Sequence, residues 1–183
     1  TLTAGTIDVA GNATVEADSA AIETLNVGVD AELTITNELS ITTGTVGGNA
    51  NITAGETTVD TLNVTGDLTA ELKSLTVETL LDVDSAATIT VAETLTAEAI
   101  DVAGNATIKA GSAEIITLTV GNDADLEITN ALNITTGTVG GNANITAGET
   151  TVDALMVTGD LTADVATLTA GTIDVAGNAT VEA

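Results

Sequence analysis

The sequence predicts an all-β chain, a three-sided parallel β-helix (a β-solenoid) of about ten coils with 18–19 residues each. Three observations lead there: the chain repeats itself, its apolar residues alternate with period two inside each repeat, and its apolar material is entirely small or aliphatic. Repeats of 20 to 50 residues mark solenoids and arrays, and a shorter unit is too small for a helical pair.

The repetition has two levels. Residues 1–17, TLTAGTIDVAGNATVEA, return unchanged as residues 167–183, an offset of 166. ITTGTVGGNANITAGETTVD runs from Ile41 to Asp60 and again from Ile134 to Asp153, an offset of 93. Aligning aliphatic-x-Val-x-Gly-Asn/Asp-Ala gives unit starts at Ile7, Leu25, Gly44, Leu62, Leu81, Ile100, Leu118, Gly137, Leu155 and Ile173. Residues 1–183 therefore read as one solenoid domain with a large repeat of 166 residues.

Within a unit the alternation is that of a strand. Ile7 and Val9 point one way and Asp8 and Ala10 the other. Gly11-Asn12 is suited to a tight corner with positive φ. Ala13, Val15 and Ala17 then alternate with Thr14 and Glu16. After Asp18-Ser19 comes a third, short strand, Ala20 to Thr24, clearer as Leu39 to Thr43 and Leu75 to Thr79. Inward parity runs Leu75, Val77, Thr79 and breaks before Leu81, which implies a bend. Thr6, Thr24, Thr43, Thr61, Thr117, Thr136 and Thr172 precede that bend and are expected to stack at one corner. The extra residue of most 19-residue units falls at the corner after the second strand, where an insertion bulges outward. A left-handed hexapeptide helix keeps strict six-residue spacing, and the 18/19 mixture violates it, so a right-handed helix is expected.

Stacking places like over like. Asn12, Asp30, Asn49, Asp67, Asn105, Asp123, Asn142, Asp160 and Asn178 form one corner column interrupted by Ala86. Asn ladders hydrogen-bond along an axis, whereas stacked Asp residues repel. Their near alternation spaces like charges about 9–10 Å apart. Both residue types also simply suit a tight corner.

Composition narrows function. With no Phe, Trp or Tyr, the core must be built from Ala, Val, Ile and Leu, yet the mean hydropathy of +0.40 is far from that of a disordered chain. There are 27 Asp plus Glu against Lys73 and Lys109, a net charge of −25. That balance repels nucleic-acid phosphates and anionic membranes, so neither is expected as a partner. The carboxylates keep an apolar β-rich chain soluble; the alternative is loose Ca²⁺ binding on carboxylate ladders. No other cofactor is expected. No Cys is present, which removes disulfides and thiolate metal sites, and no apolar run reaches the roughly 18 residues of a membrane helix. The chain starts Thr1-Leu2-Thr3, without Met or a signal peptide, as expected of a processed product or a stretch of something longer.

Chemistry fares poorly. No His is present for a Ser or Cys nucleophile to use as base. Lys109 is the one basic residue near the Asn105 corner, and carbohydrate chemistry would lack aromatic platforms. An enzyme is not expected, and no catalytic, cofactor-binding or metal-ligating residue stands out. Gly47-Gly48-Asn49 and Gly140-Gly141-Asn142 match the Ca²⁺-binding nonapeptide G-G-x-G-x-D only in part. Ice binding would need outward Thr-x-Thr on every coil. The outward pairs of the second strand include Thr14/Glu16, Glu32/Thr34, Thr69/Glu71 and Thr107/Lys109, and only Thr88/Thr90 qualifies. The 38 threonines are better explained by β-propensity. Asn-x-Thr sequons at Asn12, Asn51, Asn63, Asn105, Asn133, Asn144 and Asn178 follow from the alternation itself. Met156, the single Met, takes an outward slot that Asp8, Asn63, Asp101 or Thr119 holds elsewhere.

The strings LMVTGDLTA from Leu155 and LTAGTIDVAGNAT from Leu168 resemble the repeats of filamentous-haemagglutinin and autotransporter-type exoproteins. Similar phrases occur in phage tail fibres. The resemblance spans the chain and is compositional. It implies secretion, a fibrous shaft and a place outside the cell or on its surface, and it carries over no binding residue. The absence of aromatics and the near-identical copies depart from such shafts and point to a more monotonous fibre. The function expected is thus a segment of an extracellular filament built by axial stacking of coils. The alternative is the shaft of a surface adhesin or tail fibre, with ice or Ca²⁺ binding behind both. No cap is evident in the first or last coil, and strand edges there would pair with more of the same. The expected partner is the chain itself, head to tail or as one longer polypeptide.

Overall fold

The computed structural model describes residues 1–28, 30–121 and 123–183. It is all-β: eleven parallel strands in one sheet, ordered as in the chain, wound into a β-solenoid of about ten turns. The strands are β1 (Leu2–Val9), β2 (Ala13–Val27), β3 (Ala31–Val46), β4 (Ala50–Val64), β5 (Leu68–Val83), β6 (Ala87–Val102), β7 (Ala106–Val120), β8 (Ala124–Val139), β9 (Asn142–Val157), β10 (Asp160–Val175) and β11 (Asn178–Glu182).

Each long strand is nearly a whole coil. Its burial pattern changes phase twice without breaking the ladder, as β3 shows: Leu33 and Ile35 are buried, then Leu39 and Ile41, then Gly44 and Val46. Three inward pairs separated by two bends and one interruption make three faces. Ile7 pairs with Leu25, Leu25 with Gly44, Gly44 with Leu62 and Leu62 with Leu81, and the column continues to Ile173.

The most regular inward column is valine. Val9, Val27, Val46, Val64, Val83, Val102, Val120, Val139 and Val157 lie one above another, none more than 8% exposed. A β-branched side chain fills a pleated surface well in a single rotamer. The valine carbonyls also hold the first corner together. Val27 O accepts from Gly47 N at 2.7 Å, and Val46 O accepts from Thr65 N and Gly66 N, both at 2.8 Å. The strand is interrupted there, but the backbone pairing between coils continues.

Register shifts mark where coils of unequal length meet. In the coils starting at Leu25, Leu81 and Leu118 the extra residue lies at the second corner, seen as shifts at Ala17/Ser19, Leu72/Leu75 and Ala110/Ala113 of the preceding coil. In the coil starting at Leu62 it lies at the third corner instead, between Val77 and Leu80. That slip overturns one expectation. Thr79 is exposed rather than inward and hydrogen-bonds to the Asp60 carboxylate, and Leu80 takes its place beside Thr61. The expected corner threonines do share one column: Thr6, Thr24, Thr43 and Thr61 stack, as do Thr117 and Thr136, with Leu80, Ala99 and Ala154 in the remaining places before Thr172.

The corner glycines also do something other than expected. No described residue, glycine or otherwise, has a positive φ. The need is for space. A Cβ at Gly104 would lie 2.5 Å from Ser85 N of the coil beneath, and one at Gly66 would lie 2.5 Å from the Gly47 carbonyl carbon. Successive corners nest backbone against backbone, and a methyl group would hold them apart.

Candidate functional site

A long concave surface runs along the first corner. Two cavities of about 790 and 690 Å³ meet at Asp67 and Thr69 and form one trough along the rod. Its floor is the alanine column Ala13, Ala31, Ala50, Ala87, Ala106, Ala124 and Ala143, widened by Leu68. One wall is the Asn/Asp corner column, the other the outward residues two positions on: Thr14, Glu32, Asn51, Thr69, Thr88, Thr107, Asp125 and Asn144. The trough is concave because the floor residues turn their side chains into the core while both walls carry outward polar side chains.

The Asn/Asp alternation has a direct geometric consequence. Asn142 Nδ2 donates to Asp123 Oδ1 at 2.7 Å, and Asn178 Nδ2 donates to Asp160 Oδ1 at 2.7 Å. Where Ala86 interrupts the column, the neighbouring Ser85 hydroxyl reaches Asp67 Oδ1 at 3.5 Å. A separate pair sits on the first strand, Asn26 Nδ2 to Asp8 Oδ1 at 2.6 Å. In each case a neutral donor of the upper coil meets a carboxylate below. Charge-assisted bonds of this kind are the stronger class, although these are exposed to water.

Elsewhere the first-strand column is less well matched. Asp82 stacks directly under Asp101. Partial burial, then the nearby Asp84 and Asp101 carboxylates, push the Asp82 carboxyl above the usual carboxylate range. Asn63, in the same column, has a buried Oδ1 without a hydrogen-bond partner. Both lysines bridge along the axis, Lys109 to Glu127 at 2.5 Å and Lys73 to Glu56 at 3.5 Å.

The trough can display hydroxyls, amides and carboxylates in a linear array. Among the described residues no group of three or more His, Cys, Asp or Glu is gathered closely enough to hold a metal ion. The second-strand face stacks Thr69, Thr88 and Thr107 but breaks at Glu32 and Asp125. Among the described residues, Met156 and Ile116, at 46% and 45% exposed, are the large apolar side chains that face solvent away from the first and last coils. Sequence reasoning placed the walls of this trough by column but missed its concavity, which depends on the alanine column lying between them. No family model matches the chain, and no curated protein or solved structure gives a significant match.

Proposed function

We propose that the chain is a structural segment of an extracellular filament in which β-solenoid coils stack along one axis. The observation that carries this reading is the uniformity of the stack. One parallel ladder in one order runs through all eleven strands, and the three inward pairs stay apolar coil after coil except at Thr57 and Thr150. Such a body is quasi-one-dimensional, each coil touching only its neighbours, and lengthening it costs no new design. The net charge of −25 sets rods apart laterally.

Imaging and fibre diffraction of the native material test this. Long unbranched fibres with a meridional spacing near 4.8 Å, the inter-strand distance, are the expected result. Isolated short rods would sink the reading. Fibres ending in a non-repetitive head would favour the alternative, an adhesin or tail-fibre shaft.

A further inference from the structure

Two outward columns flank the edge where the third corner turns into the first strand. One runs Glu98, Ile116, Thr135, Asp153, and the other runs Asp101, Thr119, Thr138, Met156, Asp174. Each begins and ends on a carboxylate and is uncharged in between. Ile116 and Met156, both nearly half exposed, sit in this uncharged stretch. Each has a coil above it and a coil below, so its exposure is lateral.

The 93-residue offset supplies a comparison within the chain. Glu23, Asn26, Thr61 and Asn63 of the first block stand where the second has Ile116, Thr119, Ala154 and Met156. All four differences lower polarity, and one removes a carboxylate. Other differences add charge, as where Ala21 and Thr34 give way to Glu114 and Glu127. The second block is therefore not less polar throughout. Both blocks keep the same strand register at this edge, so the fold itself does not call for the apolar residues. One difference also frees a rim group: Asn26 donates its amide to Asp8, and Thr119 has no amide to offer Asp101.

We propose that this edge binds a short basic segment of another protein, with two apolar anchors flanked by lysine or arginine. The anchors would cover Ile116 and Met156, and the cations would meet Glu98, Asp101, Asp153 and Asp174. An apolar centre with a charged rim is the usual anatomy of such a contact, and the rim sets the sign of the partner. A second copy of this chain fits poorly. It would bring 27 carboxylates and only two lysines, both already paired along its own axis. Ile116 and Met156 lie two coils apart, roughly 10 Å along the axis, which three or four residues of extended chain would span. The contact would form on an isolated rod as well as on a filament.

The test titrates the 183-residue chain with an acetylated, amidated heptapeptide of alternating lysine and leucine, by calorimetry across a salt series. Saturable binding that weakens as salt is added is expected. The double variant Ile116→Glu/Met156→Asn installs the residues of the first block, and it should bind at least about tenfold more weakly. That variant gains a carboxylate, so a purely electrostatic attraction would instead hold steady or strengthen. Circular dichroism should be unchanged, and Ile116→Thr, matching Thr135 of the coil above, is a milder variant expected to weaken binding in the same direction. The proposal is overturned if the variants bind as the parent does, or if a peptide with serine in place of leucine binds equally well. No binding at low salt overturns it too. Lateral pairs of the parent in sedimentation, dispersed by Ile116→Glu, would give the edge to a second copy and overturn the basic partner.

Discussion

The backbone of Asn37 lies directly against Gly55 of the next coil, so close that a Cβ at residue 55 would fall 2.8 Å from the Asn37 carbonyl carbon. Asn37 belongs to the bulged second corner of a 19-residue coil, and Gly55 occupies the matching corner of the 18-residue coil that follows. The pairing recurs. A Cβ at Gly111 would lie 2.5 Å from Glu93 O, and one at Gly148 would lie 3.2 Å from Thr129 O and closer still to Asn130. Each second-corner bulge is thus received by a glycine one coil later.

Replacing Gly55 or Gly148 with alanine should destabilise the rod by about 1–3 kcal/mol, the usual range for overpacking against an unyielding neighbour. The obstacle is backbone, so side-chain rearrangement cannot relieve it. Urea unfolding followed by circular dichroism checks this, and an unchanged midpoint would contradict the nesting.

Gly44 meets a different neighbour, the Leu62 side chain, whose Cδ1 lies 2.7 Å from a Cβ added there. Gly44→Ala should cost about 1 kcal/mol and Leu62→Ala about 2–5 kcal/mol. The double variant should cost less than the sum, because the new methyl occupies space that the leucine vacates. A double-mutant cycle measures that coupling, and strict additivity would count against the packing described.

Thr57 and Thr150 are 4% and 5% exposed, and neither hydroxyl has a hydrogen-bond partner. They sit in a column with buried leucines, Thr57 between Leu39 and Leu75. Thr57→Val and Thr150→Val should each stabilise the rod by about 1 kcal/mol by removing an unpaired buried polar group. A lower denaturation midpoint in either variant would show that the hydroxyl does find a partner.

Asn142→Asp would set three carboxylates in a row with Asp123 and Asp160 and remove the amide donor to Asp123. The variant should be less stable, and the deficit should shrink as salt is added. A deficit insensitive to ionic strength would point to a loss of corner geometry instead.

The Asp82 carboxyl titrates above its unfolded value, so the folded state favours its neutral form. The resulting penalty is present at neutral pH and is relieved as the pH falls through the raised pKa. Asp82→Asn should therefore raise the thermal midpoint at pH 7, with the difference fading as the pH drops through the carboxylate range. A difference independent of pH would exclude this cause.

Much of the fold was legible because solenoid packing is a local rule applied repeatedly. Val9 and Val27 each sit three residues before their corner Asn12 or Asp30, and parity alone turns both inward. The second-corner bulges could be placed by counting residues between fixed columns. The glycines misled because the same residue answers two needs. Gly-Asn and Gly-Asp corners read as positive-φ turns, whereas Gly66 and Gly104 answer a close backbone approach, and the atom that excludes a side chain at Gly55 lies in Asn37, a full coil away. Thr79 failed for a related reason: alternation carries it inward, but the extra residue in that coil slips to the third corner and turns it out. The trough was hidden because concavity belongs to three adjacent columns together, while the sequence presents each of them singly.

The pairing of bulge and glycine makes coils unequal partners. A 19-residue coil bulged at its second corner is followed by one able to receive that bulge, so a gene encoding such a rod cannot gain or lose coils one at a time at random. Loss of the coil carrying Gly55 alone would press Asn37 against Lys73 and Ser74, whereas removing donor and receiver together leaves a matched seam. Lengthening by recombination would then proceed in blocks that respect this order, and the rod would keep its shape while its length drifted in quantised steps.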